Sequence, residues 1–376
     1  MLSSISIRAG RSRLLAMSRR VVMKLGSSVV AAEGDVLHRI CGVAADAHGH
    51  GRELVMVSSG AIAKGVSVLG LPGRPVAIEE LQAASAVGQG KLYRVYDELL
   101  RARGVTSAQV LLTFADMSVR NHYLNARQTL RTLLDWKVVP VINENDTTAT
   151  DEISFGDNDF LAAQVAILTS ADLLILLSDI DGLYTADPRH DPHARLIGEV
   201  SDFEQLSTLQ IGHSTSPLGT GGMRSKVLAA EMATAAGIRT VICNGIAEEA
   251  LPRVLAGELV GTSFPPRASR YSSFKLWLRY AKPSHGTLSV DEGAAKALRE
   301  DGTSLLPVGI VDVEGAFLAG DAVEIVCDRD VLGKGLCNYS AQELRQIIGM
   351  KTAAVREIMP EAVEEAVHRD YMAIGQ

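Results

Sequence analysis

An apolar run from Val138 to Ile142 passes directly into a segment crowded with acids and amides, and a second apolar run, Phe160 to Leu168, follows it. The polar segment holds Glu144, Asp146, Asp151, Glu152, Asp157 and Asp159 together with Asn143, Asn145 and Asn158. A strand leading into a helix reads this way, and open α/β sheets bind ligands where strands deliver polar groups at their C-terminal ends. Acids alone would make only a solvated loop. The group Gly156-Asp157-Asn158-Asp159, however, stands at the start of the second run. One acid or amide there is an ordinary helix cap, whereas several facing another polar cluster make a site.

The same alternation recurs along the chain. Val21 to Leu25 reads as a strand ending in the small-residue turn Gly26-Ser27-Ser28. A helix from Val36 to His48 separates it from a second strand, Leu54 to Val57, which ends in Ser58-Ser59-Gly60. Two strands joined by a helix imply a right-handed crossover and parallel pairing, which puts their polar ends on one sheet edge. A long helix from Glu79 to Arg101 carries small residues between Ala83 and Gly88, suited to close packing. A strand from Ala108 to Leu112 and a helix from Val119 to Leu134 lead back to Val138. The strand Asp172 to Leu177 ends in Ser178 and Asp179, and Gly219 to Lys226 opens a helix reaching Ala236, before a strand from Thr240 to Cys243. The pattern predicts a doubly wound α/β domain with a mainly parallel sheet.

Beyond Pro265 and Pro266 the texture changes to short alternating segments (Phe274 to Tyr280, Ser304 to Val313, Ala322 to Cys327), with one helix-like piece from Glu292 to Asp301. This predicts a smaller, mostly β module at the C-terminus. The chain of 376 residues, 47% of them apolar, is long enough for two cores. A net charge of −7 offers no overall basic field for nucleic acid or anionic lipid. The cysteines, Cys41, Cys243, Cys327 and Cys337, lack metal-ligand spacing and suit reduced thiols of a cytoplasmic protein, with Cys41 and Cys243 in apolar, burial-prone stretches. The longest apolar stretch, Leu161 to Leu177, is interrupted by Gln164 and Asp172, so no membrane span is expected. Residues 1–20 hold five arginines and no acid. Transit peptides share that composition, but a disordered leader or a start assigned too early, with Met17 as the true start, is the expectation here because the folded pattern begins after Arg20.

The strand ends gather Lys24, Gly26, Ser27, Ser59, Gly60, Asn143, Asp146, Asn158, Ser178 and Asp179, and the glycine-rich turn brings Lys226. Two lysines and a glycine-rich helix start answer the needs of phosphoryl transfer, where catalysis is largely positioning and charge neutralisation. The turn is not a Walker A loop. No histidine, Ser-His or Cys-His pair stands at these ends, and a carboxylate acceptor, already ionised at neutral pH, needs no general base.

Six motifs in order, Lys24 to Ser28, Val57 to Ile62, Asn143 to Asp146, Gly156 to Asp159, Gly182 to Pro188 and Gly219 to Met223 with Lys226, resemble the glutamate-phosphorylating branch of the amino acid kinase family. The tail from Lys275 to His368, including Val290 to Gly293, is similar to the PUA domain of the longer members. The resemblance leaves the leader at 1–20 without a counterpart and implies an amino acid kinase domain at 21–264, a linker at 265–274 and a PUA-like domain and tail at 275–376. It implies ATP-dependent phosphorylation of the side-chain carboxylate of L-glutamate, the first step of proline biosynthesis, with ATP and Mg2+, a homo-oligomer and proline as feedback inhibitor.

Residue by residue, the resemblance puts Lys24 on the transferring phosphate and Ser59, Asp146 and Asn158 on glutamate. It sets Ser178 and Asp179 near the nucleotide, and Thr220, Gly221, Gly222, Met223, Arg224, Ser225 and Lys226 along the phosphates, with Lys226 also neutralising the transition state. Asp146 suits the substrate's α-ammonium on charge grounds. Ser58 stands where many relatives have threonine, and Arg224-Ser225 makes the turn unusually basic. The alternatives are an acetylglutamate or aspartate kinase of the same family, and RNA binding through the PUA-like tail. Acetylglutamate has no ammonium for Asp146, and the tail's acids balance its bases, which ranks RNA binding low.

Overall fold

The computed structural model describes residues 18–113, 116–117, 120–148, 158–203, 206, 222–267, 275, 278–279 and 284–375 except 329 and 361. The leader before residue 18, most of the linker and most of the segment Phe274 to Tyr280 lie outside the described residues. The chain divides into two compact units, Met1–Arg270 and Tyr271–Gln376.

The first unit is built on a seven-stranded sheet. Its elements are β1 (Arg20–Leu25), α1 (Ser27–Val30), α2 (Val36–Gly49), β2 (Glu53–Ser58), α3 (Ala61–Leu69), α4 (Ile78–Arg101), β3 (Ser107–Leu112), α5 (Arg120–Asp135), β4 (Val139–Glu144), α6 (Asn158–Thr169), β5 (Leu173–Ser178), α7 (Met223–Ala235), β6 (Arg239–Asn244), α8 (Ala250–Leu255) and β7 (Thr262–Phe264). The strand order is β3-β4-β2-β1-β5-β6-β7, parallel throughout except for β7, which closes the edge antiparallel to β6. Every residue of β2, β4 and β5 is buried, which is why these strands are continuous apolar runs and not alternating ones. β1 lies at the centre, pairing with β2 on one side and β5 on the other, with Lys24 level with Val57 and Leu176. The sheet grows outward in opposite directions from this point, so the carboxyl ends of β1 and β5 flank the crevice where such folds take ligands.

Two helices bring further groups to that edge. α6 is buried along nearly its whole length and crosses from β4 to β5, which explains its lack of a polar face. α3 and α4 are in backbone contact: a Cβ on Gly65 would fall 1.7 Å from the Ala84 carbonyl oxygen, and one on Gly88 would fall 1.9 Å from the Ala61 carbonyl oxygen. The small residues between Ala83 and Gly88 therefore set how closely α4 approaches α3. α3 and α8 are short and lack a side-chain cap, so neither stands out as a separate helix in the sequence.

The second unit has a five-stranded sheet of order β12-β11-β10-β8-β9, from β8 (Gly286–Val290), β9 (Ile310–Gly315), β10 (Ala322–Cys327), β11 (Asp330–Leu336) and β12 (Met372–Ile374). The expected strand Ser304 to Val313 begins only at Ile310, because Pro307–Gly309 forms a 3-10 turn in which proline cannot join a ladder. The expected helix is α9 (Glu292–Lys296) continued by a π-turn, Ala297–Asp301, and α10 (Ala341–Ile347) and α11 (Thr352–Ile358) are additional. This unit has its own core, including Leu288, Ile325, Leu344 and Val367, separate from the core of β1, β2 and β5 around Met23, Met56 and Ile175. All four cysteines are free thiols, and burial pushes that of Cys243 up to about 12. No described helix is long and apolar enough to cross a membrane.

Candidate active site

Asp159, in the first turn of α6, is completely buried. Its Oδ1 lies 2.6 Å from Lys24 Nζ on β1, and its Oδ2 accepts a hydrogen bond from Lys226 Nζ on α7 at 3.0 Å. Ser225 Oγ donates to the same Oδ2 at 3.0 Å. Burial alone would raise the Asp159 carboxyl, but the charges of Lys226 and Lys24 outweigh it and hold the group well below the usual carboxylate range. One anion thus fixes two buried cations, and the cluster carries a net positive charge before any substrate arrives.

Asn158, the preceding residue, turns its side chain toward the other strands. Its Nδ2 donates to Ser59 Oγ and to Asn143 Oδ1, each at 3.0 Å. Asn143 in turn donates to Gln89 Oε1 of α4 at 2.6 Å. The ends of β2, β4, α4 and α6 are therefore tied by neutral amides and hydroxyls. Asp146, buried just past β4, accepts a 2.6 Å hydrogen bond from Ser85 Oγ of α4. Burial raises its carboxyl, and the Ser85 hydrogen bond and the charge of Arg74 oppose that only in part.

Ser178 ends β5 beside β1 and donates to Asp179 Oδ1 at 3.2 Å. The turn after β1 is close by: a Cβ on Gly26 would lie 3.3 Å from the Leu177 carbonyl oxygen and 3.8 Å from Lys24 Nζ. Gly222 caps α7 without a side-chain hydrogen bond, Met223 and Ser225 are half-buried, and Arg224 is exposed. Thr220 and Gly221 lie outside the described residues, as do Gly156 and Asp157. The lysines and Asn158 are legible in the sequence, whereas Asp159 looks there like an ordinary helix start, Ser85 like a small packing residue, and Gln89 like any polar residue of a long helix. The signal for Asp159 was its position next to Asn158, where a fully buried first-turn acid needs cations from elsewhere.

Residues 19–244 match the Amino acid kinase family, and residues 286–359 match the PUA domain. A glutamate 5-kinase of Synechococcus sp. (strain JA-3-3Ab) is 46% identical over 364 residues, covering 94% of this chain and 98% of the relative. One from Methylibium petroleiphilum is 45% identical over 372 residues, covering 97% of this chain and all of the relative. The crystal structure of UMP kinase from Bacillus anthracis superposes with a TM-score of 0.47 at 17% identity, over 67% of this chain and 97% of that one. The chain belongs to the amino acid kinase family, in its glutamate 5-kinase branch with an appended PUA domain.

Proposed function

We propose that the protein transfers the γ-phosphoryl group of ATP to the side-chain carboxylate of L-glutamate, forming L-glutamyl 5-phosphate for proline biosynthesis. The observation that carries this reading is the single carboxylate, Asp159, holding Lys24 and Lys226 on its two oxygens beside the amide and hydroxyl cluster of Asn158, Ser59 and Asn143. The lysines stand ready for phosphoryl oxygens, and the neutral cluster suits carboxylate groups that a further acid would repel. Asp146, held by Ser85, pairs with the α-ammonium. The acceptor oxygen is already ionised and attacks phosphorus directly, the β–γ bridging bond breaks, and its electron pair leaves with ADP.

The nucleotide fits the residues present. α7, which carries Lys226, starts without a side-chain cap, so its first-turn amides and positive dipole end suit a phosphate. Ser178 and Asp179, at the end of β5 beside β1, are assigned to the nucleotide by family likeness. Magnesium would be held mainly through the nucleotide's phosphates with one or two carboxylates, and it would neutralise part of their charge. Asp159, with both oxygens engaged by lysines, is not the residue for it. Proline as feedback inhibitor, a homo-oligomer and a cytoplasmic location complete the reading by family likeness. Hydroxylamine trapping of the acyl phosphate, with glutamate, aspartate and acetylglutamate compared under the same ATP and magnesium, tests the assignment: trapping with glutamate alone is expected, and preference for either other acid would replace it.

A further inference from the structure

The opposite edge of the kinase unit's sheet, where the strands begin, holds a cavity of about 460 Å³ with four arginines in its wall: Arg19, Arg20, Arg127 and Arg131. Two of them are accounted for by the fold. Arg19 and Arg20 share the carboxylate of Glu53, at 3.1 and 2.6 Å, and Arg20 also donates to the Thr169 carbonyl at the end of α6. Asp172 is engaged by the backbone N–H groups of Arg19 and Arg20, at 2.9 and 2.8 Å.

Arg127 and Arg131 are different. They lie one turn apart on α5, facing the cavity, and neither makes an ion pair or side-chain hydrogen bond among the described residues. Like charges at this spacing destabilise a helix. The helix dipole does not explain them, because the last turn of α5 carries no basic residue. The acid in the wall that Arg19 and Arg20 leave unengaged is Asp135, so the lining keeps a net positive charge. The chain's own N-terminal residues offer no complement, since 1–17 carry Arg8, Arg11 and Arg13 and no acid.

We propose that this cavity is a second anion site, in which the guanidinium groups of Arg127 and Arg131 hold a small polyvalent oxyanion of the pyrophosphate class. Planar guanidinium forks match phosphoryl oxygens bidentately, and two forks one turn apart on one face suit two linked phosphoryl groups. The site is distinct from the kinase centre. α6 carries Asp159 in its first turn and reaches this cavity with Thr169 at its other end, a separation of about 15 Å at helical rise.

Trp136, exposed and next to Asp135, is the reporter, after Trp277→Phe removes the chain's other tryptophan. The full-length protein is titrated with magnesium-free pyrophosphate at ionic strength held constant with sodium chloride. A saturable change in Trp136 fluorescence is expected, weakened at least tenfold in Arg127→Gln/Arg131→Gln and retained in Lys226→Ala, where the kinase centre has lost a phosphate-binding cation. Both arginines are exposed, so the double variant should keep its thermal midpoint. Should it fail to fold, Arg131→Gln alone must weaken the response. A response that does not saturate, that is unchanged when the arginines are replaced, or that vanishes in Lys226→Ala would overturn the proposal.

Discussion

Lys24 on β1 and Lys226 on α7 meet on the two oxygens of one buried carboxylate, at 2.6 and 3.0 Å from Asp159. The pairing is mutual: the cations keep Asp159 ionised, and Asp159 keeps two buried ammonium groups from repelling each other out of position. Breaking a buried charge cluster by removing one partner leaves uncompensated charge in a dry site.

Asp159→Asn should therefore cost about 3 to 5 kcal/mol of stability and displace both lysines. Thermal or urea unfolding measures the first effect. The second should appear as a fall in kcat of on the order of 10²-fold or more with the folded fraction corrected for. An unchanged kcat in the folded variant would remove the carboxylate from the transfer machinery.

The same residue sets a pH dependence. The folded-state pKa of Asp159 is depressed, so its contribution to stability is fully present above the unfolded carboxylate value of about 3.9 and is lost as pH falls through the folded value. The stability difference between the wild-type protein and Asp159→Asn should be flat above about pH 5 and shrink on acidification below about pH 4. Urea titrations across that range would show it. A difference that grows on acidification would mean the carboxyl is protonated in the folded protein.

Lys226→Ala should lower kcat by on the order of 10²-fold or more while leaving the glutamate KM nearly unchanged, because the ammonium acts on charge that develops during transfer. Steady-state kinetics with ATP saturating decides this. A change confined to KM would make the lysine a ground-state binding residue.

Asp146→Asn should raise the glutamate KM with little effect on the ATP KM. Pairing a desolvated ammonium with a neutral amide should cost about 2 to 4 kcal/mol, or between about 30-fold and about 1000-fold in binding. Ser85→Ala, which removes the 2.6 Å hydrogen bond, should move the same parameter in the same direction by a smaller factor. Loss of equal size for glutamate and acetylglutamate would show that Asp146 does not read the ammonium.

A chain ending at Arg270 should fold and keep acyl phosphate formation, since the kinase unit and the C-terminal unit have separate cores. Circular dichroism and hydroxylamine trapping on the shortened chain test it. A folded but inactive product would show that the PUA domain contributes to the site.

The strands of the kinase unit were legible in the sequence because each is buried on both faces and so had to be a continuous apolar run, from Leu173 to Leu177 most plainly. Their polar ends were legible for the same reason: Ser59, Asn143 and Ser178 stand where an apolar run stops. Parallel pairing requires those ends to share an edge, which places Lys24, Asn158 and Lys226 in one region. What Asp159 does was decided only by the tertiary structure. A carboxylate at a helix start looks like a cap in any sequence, and its role depends on which groups come within about 3 Å, a distance at which charge overrides desolvation. Lys226, 67 residues further along the chain, reaches that distance only after α7 packs against α6. Ser85 was hidden in the same way: its hydroxyl meets Asp146 across 61 residues because Gly65 and Gly88 let two helix backbones touch, and local composition records no such approach.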